Sequence, residues 1–171
     1  MVRAIMHGCN GHMGQVITGL IKNDESIEIV AGIDKYKGIE NAYPVFDSME
    51  ACTEEADVVI DFSNAAAIDA LLDSCKDKKL PVVLCTTGLS EEQLAKVKET
   101  AKETAVLKSA NMSLGINLLL KLLKEATAVL APAGYDMEIV ERHHNQKLDA
   151  PSGTALALAD SMNEAMENQY H

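Results

Sequence analysis

Short apolar runs alternate with longer helical patterns along the first hundred residues of this chain. The runs are rich in Val, Ile and Leu without polar alternation, as in strands that a sheet buries on both faces. Because helical patterns separate them, the strands are predicted to be parallel and covered by helices on both sides. The predicted strands are 2–6, 27–33, 58–60, 82–84 and 106–107, with helices near 12–22, 64–77 and 90–103. Ser90 and Gln93 form the pattern of a capping box at the third helix.

The later part of the chain predicts two more helices and one more strand. The sequence Ala-Pro-Ala-Gly at 131–134 ends the fourth helix and predicts a domain boundary between residues 130 and 131. Residues 135–140 then alternate in polarity like a half-buried strand, and a last helix is expected near 153–168. A stripe on the fourth helix is predicted to face the core, and it comprises Leu118, Leu119, Leu122, Leu123, Ala126 and Leu130.

Composition excludes several classes of partner. The chain has 171 residues and a formal net charge of -11, which disfavours binding to nucleic acid. No apolar run approaches the roughly 20 residues that span a bilayer, and the N-terminus enters a strand pattern directly, so neither a membrane anchor nor a signal peptide is expected. Its 4 cysteines contain no C-x-x-C pair. We therefore expect free thiols in a cytoplasmic protein, with no metal site.

Three glycines follow the first predicted strand at the turn into the first helix, namely Gly8, Gly11 and Gly14. Glycine lets the backbone approach a pyrophosphate there, and the helix N-terminus adds favourable partial charge. The spacing differs from the usual G-x-G-x-x-G, so the motif needs its context. Asp34 supplies that context, because an acid at the end of the second strand binds ribose hydroxyls. Asp34 favours NADH, whereas Lys35 is either a partner for the 2′-phosphate of NADPH or a solvated lysine, so both coenzymes stay open.

Two further segments follow predicted strands, DFS at 61–63 and CTTG at 85–88. Each alone is more often an ordinary turn. Ligands of open α/β sheets gather outside the carboxyl ends of the strands, so together the two segments are expected to surround the nicotinamide.

A basic cluster follows residues 135–140, and it consists of Arg142, His143, His144 and Lys147. Adjacent cations repel one another, so the cluster calls for an anionic ligand or for nearby carboxylates such as Glu138 and Glu141. The turn Pro-Ser-Gly-Thr at 151–154 then presents N–H groups at a helix start. A pocket for a small anion with more than one carboxylate, with a histidine as proton donor, is the interpretation we favour. Structural or surface histidines are the alternative.

Taken together, these segments closely resemble the dihydrodipicolinate reductase family over nearly the whole chain. The resemblance is carried by GCNGHMG at 8–14, DFS at 61–63, TTG at 86–88, ANMSLGIN at 110–117 and HHNQKLDAPSGTA at 143–155. It implies a Rossmann-like, doubly wound parallel α/β sheet at 1–130, followed at 131–171 by the start of an α+β domain for substrate binding and tetramerisation. The implied activity is the reduction of a cyclic unsaturated dicarboxylate by NADH or NADPH in lysine biosynthesis.

The resemblance also assigns roles to residues. It implies His143 as general acid and Lys147 as its basic partner, with His144, Ser152, Gly153 and Thr154 contacting the substrate. The implied dinucleotide contacts are Gly8, Gly11, Met13, Gly14, Asp34 and Lys35, and the nicotinamide-side contacts are Thr87, Gly88, Asn111 and Ser113.

Three departures from the family pattern qualify these expectations. His12 stands where many members carry Arg, and Met112 replaces a frequent Phe. Relatives continue beyond residue 171 with strands that complete the substrate domain and the tetramer interface, so we expect a fragment. Two rival functions stay open, another NAD(P)-dependent oxidoreductase of an amino-acid-like substrate and a dinucleotide-binding fragment without turnover.

Overall fold

The computed structural model describes residues 1–145 and 150–169. The chain divides into two compact units, Met1–Ser109 and Ala110–His171. Among the described residues, no helix is both long and apolar enough to cross a membrane.

The first unit is built on a six-stranded sheet in which every pair of neighbouring strands is parallel. Its strand order is β3-β2-β1-β4-β5-β6, so the order reverses between β1 and β4 and leaves a crevice at their carboxyl ends. The predicted α/β architecture is confirmed. The strands are β1 (Val2–His7), β2 (Ile27–Ile33), β3 (Val45–Phe46), β4 (Val58–Asp61), β5 (Val82–Leu84) and β6 (Val106–Lys108).

Strand β3 is the one strand of this sheet that the sequence did not predict. It has two residues, too few for any hydrophobic period to be visible. Tertiary pairing creates it, because the Gly32 N–H donates to the Pro44 carbonyl at 2.9 Å and the Asp34 N–H donates to the Phe46 carbonyl at 3.0 Å.

Three helices connect the strands, α1 (His12–Ile21), α2 (Ile68–Lys78) and α3 (Glu91–Thr100), and a 3₁₀ turn at Ala65–Ala67 precedes α2. The predicted capping box of α3 is present. The Gln93 N–H donates to the Ser90 hydroxyl at 3.2 Å, and the Ser90 N–H donates to the Gln93 side chain at 3.1 Å. The apolar face of α2 contributes Leu71 and Leu72 to the same buried core as the sheet residues Ile5 and Val59. Burying each such side chain contributes about 1.5–3 kcal/mol to the free energy of folding, and this core stabilises the sheet that carries the crevice.

The second unit contains two helices among its described residues, α4 (Leu114–Leu130) and α5 (Gly153–Ala165), which pack on each other. The Ser161 hydroxyl donates to the Leu120 carbonyl at 2.8 Å, and Lys124 pairs with Glu164 at 2.6 Å. Helix α4 therefore groups with the chain that follows it, whereas the prediction assigned it to the dinucleotide-binding domain. The functional division into 1–130 and 131–171 stays a prediction.

Two predictions for the second unit are wrong in this structure. Residues 135–140 form no strand, because a strand exists only when its backbone pairs with another, and the described residues of this unit offer no such partner. The leucine stripe of α4 is largely exposed, with Leu118 at 54% and Leu122 at 48%. Amphipathic spacing shows which face of a helix is apolar, but that face is buried only where another element packs on it. Among the described residues, α5 covers only part of α4.

Candidate active site

At the turn after β1, neither Gly8 nor Gly14 has room for a side chain. Gly8 has a φ of 80°, and a Cβ there would lie 2.6 Å from the Phe62 carbonyl oxygen. A Cβ on Gly14 would collide with the Gly8 carbonyl oxygen and lie 2.7 Å from that of Cys9. Gly11 is the N-cap of α1 and has no side chain to cap the helix, so the N–H groups of the first turn are available to an anion. Met13, in that turn, is exposed.

Asp34 is fixed at the end of β2 by two backbone donors. The Asn10 N–H donates to Oδ2 at 3.0 Å, and the Tyr36 N–H donates to Oδ1 at 2.9 Å. The bond from Asn10 ties the carboxylate to the glycine turn. Asp34 and Lys35 line a cavity of about 440 Å³ together with Gly8 and Gly11. The structure thus brings together four of the predicted dinucleotide contacts.

A buried polar network crosses the floor of the crevice. His7 Nδ1 lies 2.6 Å from Asp61 Oδ1, and the Ser63 hydroxyl donates to the same oxygen at 2.6 Å. The Ser63 N–H donates to the Thr86 hydroxyl at 3.0 Å. Burial raises the pKa of Asp61, but the hydrogen bonds from His7, Ser63 and Thr86 outweigh it and hold that pKa below its ordinary value. The network joins the carboxyl ends of β1, β4 and β5.

The loop after β5 carries the predicted contacts Thr87 and Gly88. Both are exposed, Gly88 has a φ of 72°, and neither lines the cavity. Cys85 and Thr86 are buried beneath them. Burial raises the pKa of the Cys85 thiol to about 11, so this thiol is neutral near pH 7.

In the second unit, two predicted contacts meet directly. The Asn111 side-chain amide donates to the Thr154 hydroxyl at 3.0 Å. The Ser113 N–H donates to the Asn111 side-chain oxygen at 2.8 Å, which holds the amide in place. Residues assigned separately to the nicotinamide side and to the substrate thus share one hydrogen-bonded cluster.

The predicted acid lies beside a carboxylate. His143 Nδ1 is 3.4 Å from Glu141 Oε2, and the Ser152 N–H donates to Glu141 Oε1 at 2.8 Å. The Ser152 hydroxyl accepts from the Ala155 N–H at 3.0 Å and caps α5, so Gly153 begins the helix. Glu141 therefore joins the histidine to the turn at 151–154.

The other members of the basic cluster are Arg142, His144 and Lys147. Arg142 and His144 are exposed. Lys147 lies outside the described residues, so its predicted place beside His143 stays a prediction.

The family is decided by its sequence profiles. Residues 2–112 match the profile described as "Dihydrodipicolinate reductase, N-terminus". Residues 115–171 match the one described as "Dihydrodipicolinate reductase, C-terminus". The chain belongs to the dihydrodipicolinate reductase family.

Curated relatives of this family agree along nearly the entire chain. The 4-hydroxy-tetrahydrodipicolinate reductase of Caldanaerobacter subterraneus subsp. tengcongensis is 52% identical over 166 residues, which are 97% of this chain and 65% of the relative. That of Clostridium novyi is 50% identical over 167 residues, which are 98% of this chain and 66% of the relative. The chain thus spans just under two thirds of the length of these two relatives.

A solved structure supports the same assignment. The dipicolinate-bound dihydrodipicolinate reductase from Paenisporosarcina sp. TG-14 has a TM-score of 0.80 and 30% identity, and the match covers 100% of this chain and 68% of that one. A WlbA dehydrogenase with NADH and UDP-GlcNAcA bound has a TM-score of 0.56 at 18% identity, covering 74% of this chain and 39% of that one, and shows the shared fold.

The structure shows contacts of two residues that the sequence analysis did not anticipate. Glu141 was weighed only as a counter-charge or a solvated residue, and nothing in the spacing revealed its link to Ser152. His7 received no role at all, although a histidine that ends a buried strand beside a glycine turn was a signal that could have been used.

Proposed function

We propose that this chain is the coenzyme-binding and proton-donating part of a 4-hydroxy-tetrahydrodipicolinate reductase. In that reaction, NADH or NADPH reduces the cyclic dicarboxylate to tetrahydrodipicolinate in the lysine (diaminopimelate) pathway. Homotetramer formation and a cytoplasmic location belong to the same proposal. The observation that carries it is the hydrogen bond between Asp34 and the Asn10 N–H of the glycine turn, in a chain whose second unit joins His143 to the turn at Ser152 through Glu141.

The first unit fits a nicotinamide dinucleotide. The space that a Cβ would fill at Gly8 and Gly14 is taken by backbone, so the turn is as tight as close pyrophosphate contact requires. The N–H groups at the start of α1 suit the phosphates, and Asp34 suits ribose hydroxyls. When bound, the reduced nicotinamide supplies the hydride, while the protein contributes binding and orientation.

The charges around the cavity favour NADH over NADPH. Asp34, Asp47 and Glu50 line it, against Lys35 alone among the lysines and arginines of its lining. The nearby Lys37 is engaged with Asp47 at 2.8 Å. A 2′-phosphate would therefore meet more negative than positive charge, whereas a free 2′-hydroxyl can donate to Asp34.

The second unit suits the proton transfer. Hydride addition leaves negative charge on the substrate, and a histidine is suited to donate the proton because imidazole titrates near physiological pH. Glu141 orients His143. The N–H groups of Gly153 and Thr154, at the start of α5, are proposed to bind a substrate carboxylate. Lys147 is proposed to supply positive charge for a substrate carboxylate.

The function is tested by following NADH oxidation at 340 nm with the cyclic substrate, in this chain and in a form extended to the length of its relatives. His143→Gln and Lys147→Met are expected to lower kcat at least about a hundredfold, since a positioned acid contributes roughly 10²–10⁴-fold. The affinity for NADH should barely change. Lys121→Met, an exposed substitution on α4, is the matched control. Unchanged turnover in either variant removes that residue from the mechanism, and NADH binding without turnover in both forms favours a non-catalytic binding role.

Coenzyme preference is tested by Asp34→Ala. This variant should weaken NADH by about tenfold, as expected for a lost hydrogen bond to a charged acceptor, and weaken NADPH less. Asp77→Ala, on an exposed position of α2, controls for the change in net charge. Equal losses for the two coenzymes would remove Asp34 from ribose recognition.

A further inference from the structure

The buried pair of His7 and Asp61 has a position that none of the predicted roles explains. His7 is the last residue of β1 and Asp61 the last of β4, the two strands between which the sheet order reverses. The His7 side chain is 8% exposed and that of Asp61 0%. An ionisable pair inside a sheet costs desolvation energy, and a hydrophobic pair would stabilise the fold as well or better, so the pair calls for a functional reason.

The charge state of Asp61 determines what His7 can do. Since its pKa is held below the ordinary value, Asp61 is ionised near neutral pH and can only accept hydrogen bonds. His7 Nδ1 is therefore the donor in the 2.6 Å contact. The second oxygen, Oδ2, is buried and has no hydrogen-bond partner among the described residues.

His7 is also one of the residues that line the coenzyme cavity. His7 lines it next to Gly8, with Asp34 and Ser63 among the other lining residues. With Nδ1 engaged, Nε2 is the polar atom that the ring has left to offer. It donates a hydrogen bond from a positive ring only when the imidazole is protonated.

We propose that His7 is a coenzyme-binding residue: held by Asp61, its protonated imidazole donates from Nε2 to an oxygen of the ribose–pyrophosphate part of NADH, so that binding takes up a proton. This inference rests on the proposed coenzyme site. It adds to that site a cation that the glycine motif does not contain.

Among the other titratable groups near the cavity, the thiols are not suited to take up that proton. Burial raises the pKa of these thiols to about 11 or 12, so they are already protonated near pH 7. His12, exposed at the start of α1, is the competing imidazole. The groups on the surrounding elements are Asp34 and Lys35 after β2, Asp47 and Glu50 after β3, Cys9 after β1, Cys75 on α2 and Cys85 after β5.

The experiment is calorimetry of NADH binding at pH 7 in two buffers with different ionisation enthalpies, which counts the protons taken up. We expect a measurable fraction of one proton for the unmodified chain. His7→Asn keeps an amide donor where Nδ1 was and removes the second ring nitrogen. It should abolish the uptake and raise the Kd for NADH about tenfold at pH 6, with a smaller effect at pH 9. His12→Asn should keep the uptake.

The outcomes separate this inference from the proposed function. Binding of NADH with no proton uptake, or uptake that survives in His7→Asn, overturns the role of His7. Uptake lost in His12→Asn alone overturns it too. If His7→Asn does not fold, the imidazole ¹⁵N signals of His7 in the unmodified chain decide: they should move to the protonated position on adding NADH, and unchanged signals overturn the inference. A chain that binds no NADH at all refutes the coenzyme site itself.

Discussion

Helix α1 contains two glycines that allow one substitution to be tested in two environments. A Cβ added at Gly14 would collide with the Gly8 carbonyl oxygen and lie 2.7 and 2.8 Å from the Cys9 carbonyl oxygen and carbon. These are backbone atoms of the glycine turn and have no flexible side chain to swing aside. A Cβ added at Gly19 meets nothing within 4 Å.

The two alanine variants should therefore change stability in opposite directions. Alanine stabilises a helix by roughly 0.8–1.0 kcal/mol relative to glycine, and the Gly19→Ala variant should gain most of that free energy of unfolding. Gly14→Ala has at most the same gain, against an overpacking cost of about 1–3 kcal/mol or more. We expect the two variants to differ by about 1–3 kcal/mol in the free energy of unfolding. That difference corresponds to about 2–4 °C in Tm for each kcal/mol in a chain of this size.

The assay combines urea unfolding with NADH titration for both variants. Gly14→Ala should also weaken NADH by at least about tenfold, because the turn at residues 8–11 has to open to admit the methyl group, whereas Gly19→Ala should bind NADH normally. The reasoning is refuted if Gly14→Ala is as stable as Gly19→Ala and binds NADH equally well.

Two further predictions concern the carboxylates of the site. Asp61 has a lowered pKa in the folded state, so its stabilising contribution is complete above the unfolded pKa of 3.8 and is lost as pH falls through the folded pKa. The Asp61→Asn variant should therefore lose less Tm than the unmodified chain as pH falls below about 4. An equal loss of Tm in the two proteins would contradict this. Glu141→Gln keeps an oxygen for the Ser152 N–H but loses the charge beside His143, so kcat should fall about tenfold or more with little change in KM for NADH. Glu138→Gln, an exposed neighbour, is its control, and equal kcat in the two variants would exclude Glu141 from positioning.

The sequence was sufficient for features that depend on local physics. Strands β1, β2, β4, β5 and β6 were predicted close to their observed bounds, because short apolar runs between helical patterns leave few alternatives. The capping box of α3 was equally readable, since its two hydrogen bonds join residues three apart. Three glycines after a strand, with an acid at the end of the next, predicted dinucleotide contacts, and Gly8, Gly11 and Asp34 line one cavity. Binding of a dinucleotide there stays a prediction.

Tertiary structure alone decided features that join distant parts of the chain. Strand β3 exists only through pairing with β2, and the predicted strand at 135–140 does not form where no partner lies beside it among the described residues. The contacts His7–Asp61 and Asn111–Thr154 join residues 54 and 43 positions apart, and no local pattern shows which side chains such a separation brings together. Hydrophobic periodicity and turn chemistry act over a few residues, so the sequence alone is enough to predict them. The partner of a buried charge depends on which strands become neighbours, and folding of the whole unit determines that.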